Sequence, residues 1–223
     1  KYGMEFRKAY WEERPDPYLV ERHGQQIFPL MHRRTLFAGV EDFLLYDFYT
    51  PNGGVDENVF AYSNRAGTER TLVLYHNRYA ETQGWIRASA AYAVKEGEGE
   101  KKMVQKSLAE GLALPNDPAV YLIFRDAISG LEYIRNCGDL WKKGLYALLH
   151  AYQTHVFVDF QEVHDTPTGQ YARLNTYLNG RGVPNINEAL KELILAPIHT
   201  PLRMIMSRSE ERRVGKECRS RWS

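Results

Sequence analysis

The sequence has few cysteines and no strong excess of either charge. Of its 223 residues only two are cysteine, and 29 lysine and arginine residues stand against 28 aspartate and glutamate residues. Two cysteines cannot supply the several cross-links on which small disulfide-rich domains depend. A polyanionic partner is also disfavoured, because binding a phosphate backbone requires clustered lysine and arginine. We therefore expect no nucleic-acid partner, and a neutral ligand fits the charge balance better.

Long apolar runs are missing as well. Stretches such as residues 43–46 and 121–124 are short and bounded by charged or polar residues. A membrane-spanning helix needs roughly 20 apolar residues in succession, so we expect no membrane partner. Aromatic residues, in contrast, are abundant at 13% of the chain. That content favours a densely packed sheet domain.

The last segment, residues 208–223, differs from everything before it. It has no apolar periodicity and holds six basic residues, three acidic residues and Cys218. Reverse-translated, it matches a common sequencing adapter read in frame, so we expect an artefact rather than protein. The alternative is a basic tail that binds nucleic acid or an anionic membrane. Without the segment, 23 basic residues face 25 acidic ones, and Cys137 has no disulfide partner.

The first interpretable element is a helix that begins at Pro17. Asp16 has the N-cap residue type, and proline is tolerated at the first helical position, where no N–H is needed. Pro29 interrupts the pattern and predicts a kink or a break into two shorter helices. The apolar positions that follow form one broad stripe: Leu19, Val20, Ile27, Leu30 and Met31.

The middle of the chain alternates in the manner of β-strands. Residues 43–48 are apolar on both faces, which predicts a buried strand, and residues 85–94 predict another. Three hairpins are also predicted, formed by residues 58–63 with 71–76, 121–125 with 131–135, and 145–150 with 155–163.

Helical spacing appears twice more. Met103, Leu108 and Leu112 predict an inserted helix near residues 101–114. After Asp165, helical spacing returns over residues 171–178, and Asn185 has the residue type that caps a second C-terminal helix.

Three stretches carry a resemblance to a known family: residues 1–11, residues 59–77 and residues 145–158. Together they resemble the end of a bacterial α-amylase-family (glycoside hydrolase family 13-like) barrel and its all-β C-terminal domain. The resemblance implies an α+β chain in which the helical end of a (β/α)8 barrel precedes an antiparallel β-sandwich with an inserted helix and C-terminal helices.

The implied domains are the barrel end over residues 1–38, the β-sandwich over residues 39–164, a helical extension over residues 165–207, and the artefact after it. The resemblance further implies the non-catalytic end of a glycoside hydrolase or transglycosylase that acts on α-glucans.

The carboxylates of such an enzyme come from barrel strands, which the resemblance places upstream of Lys1, so no catalytic residue is assigned here. The implied partners are the chain's own upstream barrel and, through it, the α-glucan substrate. We expect no cofactor in this segment. The alternative is a stand-alone carbohydrate-binding β-sandwich without catalytic activity, which the aromatic content permits.

The sugar-contact candidates lie near the presumed barrel. Tyr10 and Trp11 offer flat apolar faces that suit the C–H side of a sugar ring, and Glu5 is placed to accept hydrogen bonds from hydroxyl groups. The competing interpretations are packing between barrel and sheet for the aromatic residues and a solvated surface for Glu5. Trp85 and Trp141 present the same choice between a carbohydrate platform and ordinary packing.

The remaining polar residues have simpler interpretations. The four histidines of the strand region lack the close ligand spacing of a zinc site: His76, His150, His155 and His164. Three aspartates near turns are interpreted as turn formers: Asp126, Asp139 and Asp165. No metal site is therefore predicted.

Overall fold

A computed structural model describes residues 14–40, 42–96, 100–199 and 201. Within them the chain mixes helices with a curled antiparallel sheet, which confirms the predicted α+β class. The strands are β1 (Leu44–Tyr49), β2 (Val59–Ala66), β3 (Glu69–His76), β4 (Thr82–Ser89), β5 (Tyr92–Glu96), β6 (Glu100–Val104), β7 (Val120–Asp126), β8 (Glu132–Asn136), β9 (Leu145–Leu149) and β10 (Thr154–His164). The α-helices are α1 (Pro17–Arg22), α2 (Phe28–His32), α3 (Arg34–Ala38), α4 (Leu108–Gly111), α5 (Cys137–Lys143) and α6 (Gln170–Leu178), with residues 186–199 also helical.

Eight strands form one sheet in the order β8-β7-β10-β3-β2-β1-β4-β9, and β5 and β6 form a separate hairpin. The two edge strands, β8 and β9, are neighbours in sequence and are joined by the seven-residue helix α5. A helix of that length spans only about 10 Å. In a flat sheet of eight strands the edges would lie about 34 Å apart, at about 4.8 Å per strand. The short connection therefore requires the sheet to curl until its edges approach each other.

The main core fills the inside of this curl. One continuous cluster of buried residues draws on β1, β2, β3, β4, β7, β9 and β10, together with α4 and α5. Alternation along each strand selects the members. In β3, Leu72 and Leu74 point inwards at 1% and 0% exposure, while Val73 belongs to a different cluster on the other face. Burial of this apolar surface is the main stabilising contribution to the sheet.

The N-terminal helices pack on the outer face of β3 and β10. The Asp16 side chain accepts a hydrogen bond from the Tyr18 amide, as predicted for the cap. The predicted interruption is also confirmed, because a π-helical turn (His23–Ile27) separates α1 from α2, which has its proline in the first turn. Leu30 contacts the outer cluster of β3 and β10, and Arg33 binds the Asp159 carboxylate at 2.5 Å.

The C-terminal helices pack on the outer face of β7 and β8. Leu174 and Leu178 of α6 are buried there with Ile186. Asn185 caps the last helix, because its side chain accepts a hydrogen bond from the Glu188 amide at 3.0 Å. Both predicted C-terminal helices are thus confirmed. None of the helices in the described part of the chain is long and apolar enough to cross a membrane.

One predicted pairing and the predicted two-sheet arrangement are wrong, because strand partners depend on distant parts of the chain. β9 and β10 do not pair with each other as the third predicted hairpin: β9 pairs with β4, and β10 lies between β3 and β7. The strands also form one curled sheet rather than the two sheets of the predicted sandwich. The hairpins formed by β2 with β3 and by β7 with β8 are confirmed.

The predicted inserted helix near residues 101–114 is mostly wrong. Its first part is strand β6, which pairs with β5, and only Leu108–Gly111 is helical. The helix that does form is short, and a capping box at Ser107 and Glu110 fixes its start. The strand predicted over residues 85–94 is divided into β4 and β5. The strand predicted to be buried on both faces is β1. One of its faces is buried, whereas Leu45 on the other face is 54% exposed.

Candidate functional site

The gap between the two edge strands forms a cleft with a volume of about 860 Å³. One wall is β8 with the neighbouring parts of β7 and β10, and the other is β9. Helix α6 and the loop at residues 179–182 cover one side of the opening. The cleft results from the topology, because α5 joins β8 to β9 and keeps these two edge strands close together, although they do not pair with each other.

Aromatic rings form the floor of the cleft. Phe124 stacks on Tyr133 with centroids 5.7 Å apart and meets the edge of Phe157 at 5.0 Å. The imidazole of His155 lies parallel to the Phe157 ring, 5.3 Å away. His155 and Phe157 are two positions apart on β10, and Phe124 and Tyr133 lie on the neighbouring strands β7 and β8. Their side chains therefore point to the same face of the sheet. The floor is apolar, and its rings meet partly edge to face, with Phe157 inclined by 78–80° to Phe124 and Tyr133.

A buried carboxylate lies behind His155. Oδ2 of Asp126 is 2.9 Å from His155 Nδ1, and Asp126 itself is fully buried. Burial alone would raise the pKa of Asp126. Hydrogen bonds from His155, Ser129 and the Val156 amide outweigh that effect, so the pKa lies below its ordinary value.

A carboxylate bonded to Nδ1 fixes the orientation of an imidazole and leaves Nε2 for another partner. Ser129 cannot act as a nucleophile activated by this histidine, because its hydroxyl donates to Asp126 at 2.7 Å. The pair therefore has the arrangement of an oriented hydrogen-bonding group.

Arg135 and Arg181 both bring positive charge to the cleft, and Arg135 lies on the aromatic floor. Its guanidinium lies 5.7 Å from the centroid of the Tyr133 ring and donates to the carbonyl oxygens of Ile134 and Gly180 at 2.8 and 2.9 Å. Burial lowers the pKa of Arg135. Among the described residues no carboxylate pairs with it. The bond to Gly180 holds the covering loop in place, and the guanidinium keeps further N–H groups.

The covering loop lies directly on the aromatic floor. A Cβ atom at Gly182 would lie 2.7 Å from the Tyr133 ring, so only glycine permits this approach. Next to it, Val183 and Glu132 exchange backbone hydrogen bonds of 2.7 and 2.9 Å. This bridge satisfies part of the open edge of β8, which would otherwise be available to other chains.

The predicted sugar-contact residues Glu5, Tyr10 and Trp11 lie outside the described residues. Trp141 packs against the core and donates to the Leu114 carbonyl at 3.1 Å, so the packing interpretation fits it. Trp85 is half-buried, meets Tyr146 at 5.2 Å and carries the Arg87 guanidinium over its ring.

Of the three aspartates predicted as turn formers, Asp139 lies in helix α5 and not in a turn, whereas the other two have additional roles. Asp165 accepts hydrogen bonds from three backbone amides near the start of α6, and Asp139 pairs with Lys143. Asp126 shapes its turn and also orients His155. In the sequence Asp126 and His155 have separate interpretations, and nothing there singles out Tyr133 or Arg135. Alternation along the confirmed hairpin of β7 and β8 is the signal that places Phe124, Asp126, Tyr133 and Arg135 on one face.

The cleft is lined by aromatic, amide, imidazole and guanidinium groups. Hydrolysis requires two carboxyl groups on either side of the scissile bond, and the described residues that line this cleft include neither aspartate nor glutamate. Within the described ranges no group of three or more histidine, cysteine, aspartate or glutamate side chains is placed to hold a metal ion. Aromatic rings with amide, imidazole and guanidinium groups beside them suit a polar ligand.

Comparison with protein-family models and with curated proteins finds no match for this chain.

Proposed function

We propose that this chain is the non-catalytic C-terminal part of an α-amylase-type glycoside hydrolase or transglycosylase that acts on α-glucans. The resemblance over residues 59–77 motivates the proposal. Those residues form the hairpin of β2 and β3 at the centre of the curled sheet. The absence of carboxylates among the described residues of the cleft fits a part without its own catalytic centre.

The observation that carries the proposal is the exposed apolar surface of α1, α2 and the π-helical turn between them. This helical surface is 41–68% exposed at six large side chains: Tyr18, Leu19, Val20, Ile27, Phe28 and Met31. Soluble proteins rarely leave contiguous apolar surface of this kind uncovered. In the proposed enzyme it packs against the preceding barrel, whose end the helices would form.

The second candidate is a stand-alone carbohydrate-binding module. The specific observation in its favour is the cleft, which combines an aromatic floor with the oriented imidazole of His155. On this hypothesis the ligand is a saccharide and no catalytic domain accompanies the chain. The helical surface then needs a different partner.

Extending the reading frame upstream of Lys1 in its source separates the two candidates. A barrel with an aspartate, a glutamate and a second aspartate at the ends of its fourth, fifth and seventh strands is expected from the first. The protein carrying both parts should release reducing sugar from starch, and the chain alone should not. An unrelated domain immediately upstream, or hydrolysis by the isolated chain, would overturn the proposal.

A further inference from the structure

The guanidinium of Arg135 brings a positive charge into the cleft that no carboxylate of the described residues balances. Its hydrogen bonds go to the carbonyl oxygens of Ile134 and Gly180, which are neutral acceptors. Arginine keeps its charge even in buried positions, and a partly buried charge without a counter-ion is unfavourable. The described lining of the cleft contains no aspartate or glutamate that could supply the counter-ion. An anionic ligand would supply it.

The second arginine of the cleft already has a structural role. Arg181 donates from Nε to the Leu178 carbonyl at 3.2 Å and from a terminal nitrogen to the Tyr177 carbonyl at 3.3 Å. These carbonyls lie at the C-terminal end of α6, where the helix leaves acceptors unsatisfied and its dipole favours a positive group. Arg181 therefore serves mainly as a cap of this helix.

The two histidines of the cleft each face a carboxylate outside its lining. His150 Nδ1 is 2.8 Å from Glu81 Oε1, and His155 Nδ1 is 2.9 Å from Asp126 Oδ2. Any positive charge on either imidazole is thus matched locally. Within the described part of the cleft this leaves Arg135 as the group whose charge needs a ligand, and a ligand with a single negative charge matches it best.

The remaining donors of Arg135 suit a carboxylate. A guanidinium has five N–H groups in a fixed fork, of which two are used here, so three remain. Two parallel N–H groups can bind both oxygens of one carboxylate, which makes the contact strong and directional. The Tyr133 ring, 5.7 Å from the guanidinium, and the two carbonyls hold the side chain in position. Little ordering is then needed when a ligand binds.

Apolar surface lies on both sides of this charge. The aromatic floor contains Phe124 and Tyr133, and on the opposite wall Tyr146 and Leu148 of β9 are 44% and 48% exposed. The floor rings already meet edge to face, a geometry that a further ring can extend. The volume of about 860 Å³ lies within the range of about 300–1,000 Å³ typical of small-molecule sites. A compact ring therefore fits the cleft better than a long alkyl chain.

We propose that the cleft binds a small aromatic carboxylate. Arg135 holds the carboxylate group, and the ring packs between the aromatic floor and the exposed side chains of β9. The inference rests on the charge and lining of the cleft and is independent of the proposed function and of any barrel upstream. It gives the chain a ligand that is chemically distinct from an α-glucan.

The test is a titration of the isotope-labelled 223-residue chain, followed by the amide chemical shifts of β8 and β9. The probes are phenylacetate and its uncharged analogue phenylacetamide. Phenylacetate should shift these amides and bind at least about tenfold more tightly than phenylacetamide, because charge-assisted hydrogen bonds contribute about 1.5–3 kcal/mol. Octanoate, with the same charge but no ring, and phenyl phosphate, with a second negative charge, should both bind more weakly than phenylacetate.

Arg135→Gln should weaken the affinity for phenylacetate at least about tenfold. Arg87→Gln is the matched control, since the Arg87 guanidinium also lies over an aromatic ring, at 5.2 Å from the Trp85 centroid, but outside the cleft. It should bind like the unchanged chain, and circular dichroism should show both variants folded. If Arg135→Gln does not fold, the comparison of phenylacetate with phenylacetamide on the unchanged chain still decides whether charge is recognised.

Absence of phenylacetate binding, equal affinity for phenylacetamide, or equal losses in Arg135→Gln and Arg87→Gln would overturn the inference. Tighter binding of phenyl phosphate would contradict the match to a single charge, and tighter binding of octanoate would contradict the role of the ring. None of these results bears on the proposed function, which depends on what precedes Lys1.

Discussion

Asp126 and His155 meet across 2.9 Å at the inner end of the cleft, where β7 and β10 lie side by side. Asp126 also accepts hydrogen bonds from the amides of Ile128, Ser129 and Val156. One buried carboxylate thus fixes the turn after β7, the pairing with β10 and the orientation of an imidazole in the cleft. Its removal should affect stability and ligand binding together.

Asp126→Asn should lower the free energy of unfolding by about 1–3 kcal/mol at neutral pH, because buried donors lose their acceptor. The pKa of Asp126 is depressed in the folded state, so its charge stabilises the fold above the unfolded pKa. That contribution is lost as the pH falls through the folded pKa. Urea unfolding at pH 7 and at about pH 3 should therefore show a smaller difference between variant and parent in acid.

Asp139→Asn is the control for this experiment, since Asp139 is exposed and pairs only with Lys143 at 2.9 Å. Exposed pairs of this kind contribute little to stability. An equal penalty for Asp126→Asn at both pH values would show that the carboxylate charge is not what stabilises this corner.

Leu74→Ala should lower the free energy of unfolding by about 2–5 kcal/mol, the range for removing a buried leucine side chain. Leu74 is fully buried in the central strand β3, so the cavity cannot be filled from solvent. Leu45→Ala in β1 removes the same atoms from a side chain that is 54% exposed. Equal midpoints for the two variants in urea would contradict the assignment of the inner face.

Gly84→Ala should destabilise the sheet by about 1–3 kcal/mol, the usual penalty for an overpacked site. A Cβ atom at Gly84 would lie 2.3 Å from the Tyr49 carbonyl oxygen and 2.9 Å from the Phe48 ring. Gly39→Ala meets nothing within 4 Å and should leave the thermal midpoint nearly unchanged. The outcome that would count against the β1–β4 packing is a stable Gly84→Ala protein with an unaltered midpoint.

Cys137 should resist thiol reagents while the protein is folded. Burial raises the pKa of its thiol to about 11, and the thiolate is the reactive form. With Cys218→Ser in place, labelling by Ellman's reagent at pH 8 should be slow without denaturant and complete in urea. Rapid labelling of the folded protein would mean that α5 opens readily.

Local features of the fold follow from the sequence. Asp16 before Pro17 predicts the start of α1, and Asn185 predicts the last cap. Each of these is decided by residues a few positions apart, through backbone geometry and nearby hydrogen bonds. Tertiary contacts do not override such local signals.

Pairings over long distances do not follow from it. β9 and β10 alternate as strands, but nothing local indicates that β9 pairs with β4 and β10 with β3. The inserted segment is ambiguous because Met103 has helical spacing with Leu108, yet it pairs in β6 with Ala93. The cleft depends on these pairings. The proximity of its residues, including Asp126 and His155, therefore could not be predicted from the sequence.

The position of β10 between β3 and β7 has a consequence for folding kinetics. His155 pairs with Leu74, about 80 residues earlier in the chain. Sheets with such distant partners fold slowly, because the loop entropy is lost before the contacts form. During synthesis the hairpin of β2 and β3 is made before β10, so the apolar edge of the hairpin stays exposed until β10 pairs with β3. Expression at reduced temperature or with chaperones should therefore improve recovery of native protein more than any stabilising change in the hairpin itself.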